Sequence, residues 1–243
     1  MDLKYIPLVG IITTLTGVVI CLAFAPFYYD DMPDRIFFIS EAGGRYPFLP
    51  LFSFSLVLGG LIIAVASYLY SHIYALRSHV LSKTVIKLLT LVKLLAVVGG
   101  ISLSLVGLIS LYDNEPVHAA ATQVFFISSM TNVILITYLS RQQFRTTDAN
   151  GSNVNETVVK RWIKFRISIC LILPFFVVPY LLLSPSIGYS GSLSVRVVFQ
   201  YLSVTTLVSF FTSFRLEFDS VCISLNNVLK GFEHVLGSET SSV

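Results

Sequence analysis

The sequence predicts an all-α membrane protein: a six-transmembrane-helix bundle with a short acidic first extracytosolic loop and an amphipathic C-terminal tail. Three observations carry that prediction. Of 243 residues, 55% are hydrophobic and only 12% charged, roughly half the charge of a soluble domain, so most of the surface must face lipid. Six stretches reach or approach the roughly 20 apolar residues that a helix needs to cross the hydrocarbon core. The basic residues between those stretches fall mainly on one side.

The expected spans are residues 6–27, 48–75, 88–111, 119–139, 167–183 and 197–214. The first imitates a signal peptide, with Lys4, an apolar run and the small pair Ala23/Ala25. Pro26 stands directly after the cleavage point, however, and the run is long enough to span, so a retained helix is expected. The second ends in Tyr68, Tyr70 and Tyr74, read as an interfacial belt at its inner end. Lys93 lies about six residues inside the third, on the order of 9 Å deep, and should snorkel to the inner headgroups. The fourth carries a polar stripe, His118, Thr122, Ser129 and Asn132, that should face other helices. Pro174 and Pro179 predict kinks in the short fifth span. In the second and third, Gly60/Ala64 and Gly100/Ser104 have the small-residue spacing of helix contacts.

Orientation follows from the basic residues. The N-terminus, the second and fourth loops and the tail hold Lys4, Arg77, Lys83, Lys87, Arg141, Arg145, Lys160, Arg161, Lys164, Arg166, Arg215 and Lys230, twelve in all. The other loops hold three, Arg35, Arg45 and Arg196. Twelve against three places both termini in the cytosol. The polar fourth loop, residues 146–158, reads as flexible. Its sequons at Asn150 and Asn155 are expected to stay unglycosylated, being cytosolic.

Residues 1–220 thus form one transmembrane domain and 221–243 a cytosolic tail. In that tail Val221, Leu225, Val228, Phe232 and Val235 recur at helical steps. Cys222 is a candidate for palmitoylation, and the terminal Ser241-Ser242-Val243 fits peptide grooves that capture a free carboxylate, which would give the tail a cytosolic protein partner. Cys21 and Cys170 read as small packing residues. No catalytic triad, phosphate loop or zinc cluster is present in the sequence, so no cofactor, metal or nucleic-acid partner is expected. A transporter is disfavoured because Lys93 is the one clear ionisable residue within the expected spans, and ion pathways need several.

The extracytosolic side is the chemically distinct one. It holds Asp30, Asp31, Asp34, Glu41, Asp113 and Glu115. Within it, Phe37-Phe38-Ile39 runs into Ser40, Glu41, Ala42, Gly43 and Gly44. This predicts a loop folded back on the bundle, with Gly43 or Gly44 supplying a positive-φ turn. His118 stands at the same depth, just after Asp113 and Glu115, and a carboxylate beside it would favour its charged form.

Three segments carry a family resemblance: Phe38-Ile39-Ser40-Glu41-Ala42-Gly43, then Val117-His118 with Ala121 and Phe125-Phe126, and finally the run from Phe210 through Arg215-Leu216-Glu217-Phe218-Asp219 to Val221. In order and depth they resemble the FRAG/DRAM/Sfk family of six-helix membrane proteins. That family includes damage-regulated autophagy modulators, Cwh-type N-terminal domains and relatives that act after GPI attachment. This chain has Phe37 where members commonly have proline, and Gln200-Tyr201 where they often have an acidic and an aromatic residue. The resemblance implies a non-enzymatic role in endomembranes, in autophagy and lysosomal regulation or membrane-lipid organisation. A GPI-anchor or lipid-remodelling factor and a scaffold acting through the tail are the alternatives. It marks Glu217, Phe218 and Asp219 at the inner end of the sixth helix, and the matched motifs together with shared depth suggest that Ser40, Glu41, Gly43 and His118, with Gln200 beside them, form an outer-face polar pocket for a lipid headgroup or a partner. Membrane lipids are the expected partners; the membrane concerned is lysosome, Golgi, ER or plasma membrane.

Overall fold

The computed structural model describes residues 5–29, 38–77, 82–149, 156–183 and 193–214. Among them are seven helices: α1 (Ile6–Tyr28), α2 (Ile39–Gly43), α3 (Leu49–Arg77), α4 (Lys83–Leu108), α5 (Glu115–Ala149), α6 (Glu156–Leu182) and α7 (Leu193–Thr212). All but α2 are long and apolar enough to cross a membrane. Large apolar side chains such as Phe24, Leu61, Leu94, Leu171 and Phe175 point outward, while serines and threonines are buried between helices. Lipid-facing bundles have this inverted distribution because hydrocarbon chains solvate Leu and Phe as well as other helices do.

The six long helices form a closed ring. Each packs on the next in the order α1, α3, α4, α5, α6, α7, and α7 returns to α1. The α3–α4 seam is the most extensive and the α1–α7 seam the slightest. The short α2 lies against α1 and α3, which defines an α2 end of the bundle and an opposite end.

Small residues explain the tight seams. A Cβ at Gly60 would fall on the carbonyl oxygen of Gly100, and one at Gly100 would come 2.5 Å from that of Gly60. Ala64 and Ser104 border the same crossing, so these four residues let two backbones touch. The α1–α3 seam uses the same device at Gly10, Thr14 and Gly17, which meet Ile62, Gly59 and Ser55. On α5, His118, Thr122, Ser129 and Asn132 are all buried. Asn132 Nδ2 donates to Ser67 Oγ of α3 at 3.3 Å, so the stripe faces helices.

Several expectations change. Of the three tyrosines at the end of α3, only Tyr68 faces outward; Tyr70 and Tyr74 are buried. Lys93 Nζ sits 5.0 Å from the Tyr68 ring, a cation–π contact at the bundle periphery. Helices α5 and α6 run on into the segment expected to be a flexible loop, because extending an existing helix costs little once it is nucleated. Helix α6 continues through Pro174 and Pro179. Asn150, Asn155 and the acidic Asp30, Asp31 and Asp34 lie outside the described residues.

The largest change concerns Arg166, expected in a basic loop but 3% exposed inside the bundle. Its Nε donates to Ser213 Oγ and its Nη1 to Ser140 Oγ, both at 2.7 Å. The guanidinium lies 5.5 Å and 5.4 Å from the ring centres of Phe210 and Phe214. Ser140 Oγ is also 3.1 Å from the Tyr70 hydroxyl, which donates to the Ile136 carbonyl at 3.2 Å. Arg166 therefore ties α3, α5, α6 and the segment after α7 together at the opposite end.

Candidate functional site

The α2 end is assembled from five chain segments. Phe38, Ile39 and Ala42 are buried and draw the segment back onto the bundle. The first backbone N–H groups of a helix lack internal partners, and here two find side chains. Phe38 N–H donates to Glu41 Oε2 at 2.8 Å. Ile39 N–H donates to Gln200 Oε1 of α7 at 3.1 Å. After α2, the Gly44 carbonyl accepts a hydrogen bond from Ser110 Oγ at 2.6 Å, which ties the α4–α5 connection to it. Tyr29, at the end of α1, donates to the Arg45 carbonyl at 2.9 Å, and the Arg45 guanidinium lies 4.0 Å from the Tyr112 ring centre.

The positive-φ turn expected at Gly43 or Gly44 does not occur: Gly43 closes α2 in helical conformation and Gly44 has φ −80°. Both positions need glycine for space instead. A Cβ at Gly43 would fall on the Phe52 ring, and one at Gly44 would lie 2.5 Å from the Ser40 carbonyl oxygen.

His118 also departs from expectation. Its Nδ1 lies 2.7 Å from the Ile109 carbonyl oxygen, so the partner is backbone and not a carboxylate. A carbonyl only accepts, so Nδ1 carries the proton and Nε2 is the ring atom left for other contacts. The imidazole thereby pins the end of α4 to the start of α5. Gln200 is 6% exposed. Its amide oxygen serves Ile39, and its side chain also hydrogen-bonds Tyr180 of α6.

Ser40, His118 and Gln200 line one end of a cavity of about 110 Å³. The cavity continues along α1 past Val18 and Leu15 to Pro7, and along α7 past Val204 and Val208 to Phe211. Eleven residues of helix on each wall make it on the order of 16 Å long. Apart from Ser40, His118, Gln200, Thr14 and Thr122, its lining residues are apolar. Helix α6 contributes no lining residue, and the weakly packed α1–α7 seam runs alongside. Glu41 and Gly43 do not line it: Glu41 braces the start of α2, and Gly43 admits the Phe52 ring.

One cation beside this end was not singled out from sequence. Arg196, in the first turn of α7, places its guanidinium 5.0 Å from the Phe38 ring centre. Its Nε is buried, with no hydrogen-bond partner among the described residues. Among the described residues no three His, Cys, Asp or Glu side chains group as metal ligands would. Glu217, Phe218, Asp219 and Cys222 lie outside the described residues, as does the whole tail.

Six apolar helices around a cavity with one polar end define a multi-pass integral membrane protein. Residues 2–221 match the Frag1/DRAM/Sfk1/Cwh43P N-terminal domain family, and the chain belongs to that family. No curated protein and no solved structure matches it.

Proposed function

We propose that this protein holds a membrane lipid in the α1–α7 cavity, with the headgroup at the α2 end. In this reading it is a non-enzymatic organiser of membrane lipids in the autophagy and lysosomal system, as the DRAM-type members of its family suggest. The cavity is the observation that carries the reading: an elongated apolar channel with three convergent polar side chains at one end matches one acyl chain below one headgroup. Binding without turnover is supported by how its ionisable groups are employed. Glu41 is engaged at the start of α2 and does not line the cavity, which leaves His118 as the one ionisable side chain on its wall among the described residues. The basic residues support an orientation: setting aside the buried Arg166 and the partly buried Arg196, eleven against two favour an extracytosolic α2 end.

Lipid extracted from purified protein tests this reading. Val208→Trp fills the channel on α7 in the part away from the α2 end and should cut co-purifying phospholipid at least fivefold while the protein remains monodisperse. Unchanged lipid content in a well-folded Val208→Trp protein would refute the cavity as the binding site. A remodelling enzyme is the second reading, favoured by the position of His118 on the cavity wall. It requires that purified protein convert a lipid and that His118→Gln abolish the conversion.

A further inference from the structure

We infer that the cavity recognises a neutral hydroxyl carried directly above the acyl chain, as in a monoacyl glycerolipid; the inference rests on the lipid-binding reading above. Among the described residues, the polar side chains lining the cavity are Thr14, Ser40, His118, Thr122 and Gln200. Three of them are engaged within the fold. Thr14 Oγ1 donates to the Ser55 carbonyl at 3.3 Å, and Thr122 Oγ1 to the His118 carbonyl at 2.8 Å. Gln200 accepts from Ile39 N–H and bonds Tyr180. Two atoms are left over, both at the α2 end. Neither His118 Nε2 nor Ser40 Oγ has a hydrogen-bond partner among the described residues. His118 is 4% exposed and Ser40 7%, and leaving such buried groups unpaired is costly.

The two atoms are complementary in kind. His118 Nδ1 already carries the proton that binds the Ile109 carbonyl. A second proton would bury a charge on a wall that holds no Asp or Glu among the described residues. Nε2 is therefore an acceptor, whereas Ser40 Oγ–H can donate. A hydroxyl answers both, donating to Nε2 and accepting from Ser40. An ester carbonyl or a phosphodiester oxygen only accepts, which leaves Nε2 unmet. A quaternary ammonium does neither, and a protonated amine would bring an uncompensated charge to the same wall. The shape of the cavity sets where on the lipid this hydroxyl lies. About 110 Å³ drawn out over about 16 Å is narrow, with room for one chain abreast. Its two open polar atoms stand at the head of the apolar wall. The hydroxyl then belongs on the glycerol carbon beside the acylated one. Any phosphate falls beyond the described lining residues, none of which is Lys or Arg.

Native mass spectrometry of the full-length protein in detergent reads this, with three lipids of one identical acyl chain added singly. They are lysophosphatidylcholine, the same lipid with its glycerol hydroxyl methylated, and monoacylglycerol. Lysophosphatidylcholine should bind at least tenfold above its methyl ether, because the ether cannot donate and leaves Nε2 unpaired. Monoacylglycerol should bind within about threefold of lysophosphatidylcholine, since no cation on the wall calls for a phosphate. Ser40→Ala removes no bond from the fold and should shrink the preference for the free hydroxyl at least threefold. His118→Asn keeps a donor for Ile109 but lacks the Nε2 acceptor, and should abolish the preference. Equal binding of the hydroxyl and methyl ether forms, both lost in Val208→Trp, would overturn the hydroxyl inference and leave the cavity reading standing. So would a preference unchanged in both Ser40→Ala and His118→Asn. Monoacylglycerol failing to bind would do the same, by making the phosphate the feature that is read. Lipid binding insensitive to Val208→Trp would overturn both readings.

Discussion

Replacing Arg166 by alanine is expected to destabilise the bundle by about 3 kcal/mol. Two hydrogen bonds to the guanidinium, at 2.7 Å to Ser140 and Ser213, are lost. Charge-assisted bonds are worth about 1.5–3 kcal/mol each in water-soluble proteins, but helices in lipid find substitute partners when separated, which favours the lower end. Two at about 1.5 kcal/mol give about 3 kcal/mol. The cation–π contacts with Phe210 and Phe214 act in the same direction, so about 3 kcal/mol is a floor. In a chain of this length each kcal/mol moves the unfolding midpoint by roughly 2–4 °C, so Arg166→Ala should unfold roughly 6–12 °C lower. Thermal unfolding followed by tryptophan fluorescence in detergent is a direct assay, since Trp162 on α6 stacks edge-on against Phe165, next to Arg166. Arg166→Lys keeps the charge without the planar fork and should fall between the two. A midpoint for Arg166→Ala within 2 °C of the parent would refute the clamp. So would additive losses in a double-mutant cycle of Arg166→Ala with Ser213→Ala, since paired residues must couple.

Other perturbations follow from the same geometry. Gly100→Leu should force α3 and α4 apart, because even a Cβ there meets the Gly60 carbonyl at 2.5 Å; the expected readout is aggregation or loss of a monodisperse peak in size-exclusion chromatography, whereas Val97→Leu on the exposed face of α4 should elute as the parent does. His118→Ala removes the bond to Ile109 and should cost about 1–2 kcal/mol, read as a fall in unfolding temperature that His118→Phe does not rescue. For orientation, a cysteine placed at Tyr46, which is exposed at the α2 end, should react with an impermeant maleimide only from the extracytosolic side; labelling from the cytosolic side would invert the proposed topology.

Much of the fold was legible because lipid imposes a length and a polarity on every span. The approximate reach of each long helix, the stripe on α5 and the fold-back of Phe38 to Gly43 all follow from apolar runs interrupted at fixed steps. What composition could not reveal was which polar residues go inside. Arg166 stands among Lys160, Arg161 and Lys164, and a charge count treats all four as loop cations. Only the convergence of Ser140, Ser213 and two phenylalanines, remote in sequence, makes a buried site for one of them. Tyr70 and Tyr74 differ from Tyr68 only by rotation about α3. Gly43 and Gly44 were correctly marked as special but for the wrong reason: contact with Phe52 and with the Ser40 carbonyl is a tertiary fact, whereas a turn is a local one. For the site, Ser40, His118 and Gln200 stood out through motif and depth, while Arg196 passed as an ordinary loop residue. Its Phe38 support and buried Nε appear only once α2 and α7 are adjacent.

The central claim, a lipid chain between α1 and α7 with its headgroup at the α2 end, is tested most directly by photocrosslinking. A phospholipid with a diazirine near the end of one acyl chain would be incorporated into the membrane, and crosslinked peptides mapped by mass spectrometry. The expected crosslinks fall on cavity-lining residues of α1 and α7 far from the α2 end, such as Ile11 and Val208, and are lost in Leu15→Trp protein. Crosslinks confined to the exposed face of α6, around Leu171 and Phe175, and unchanged by Leu15→Trp would contradict it.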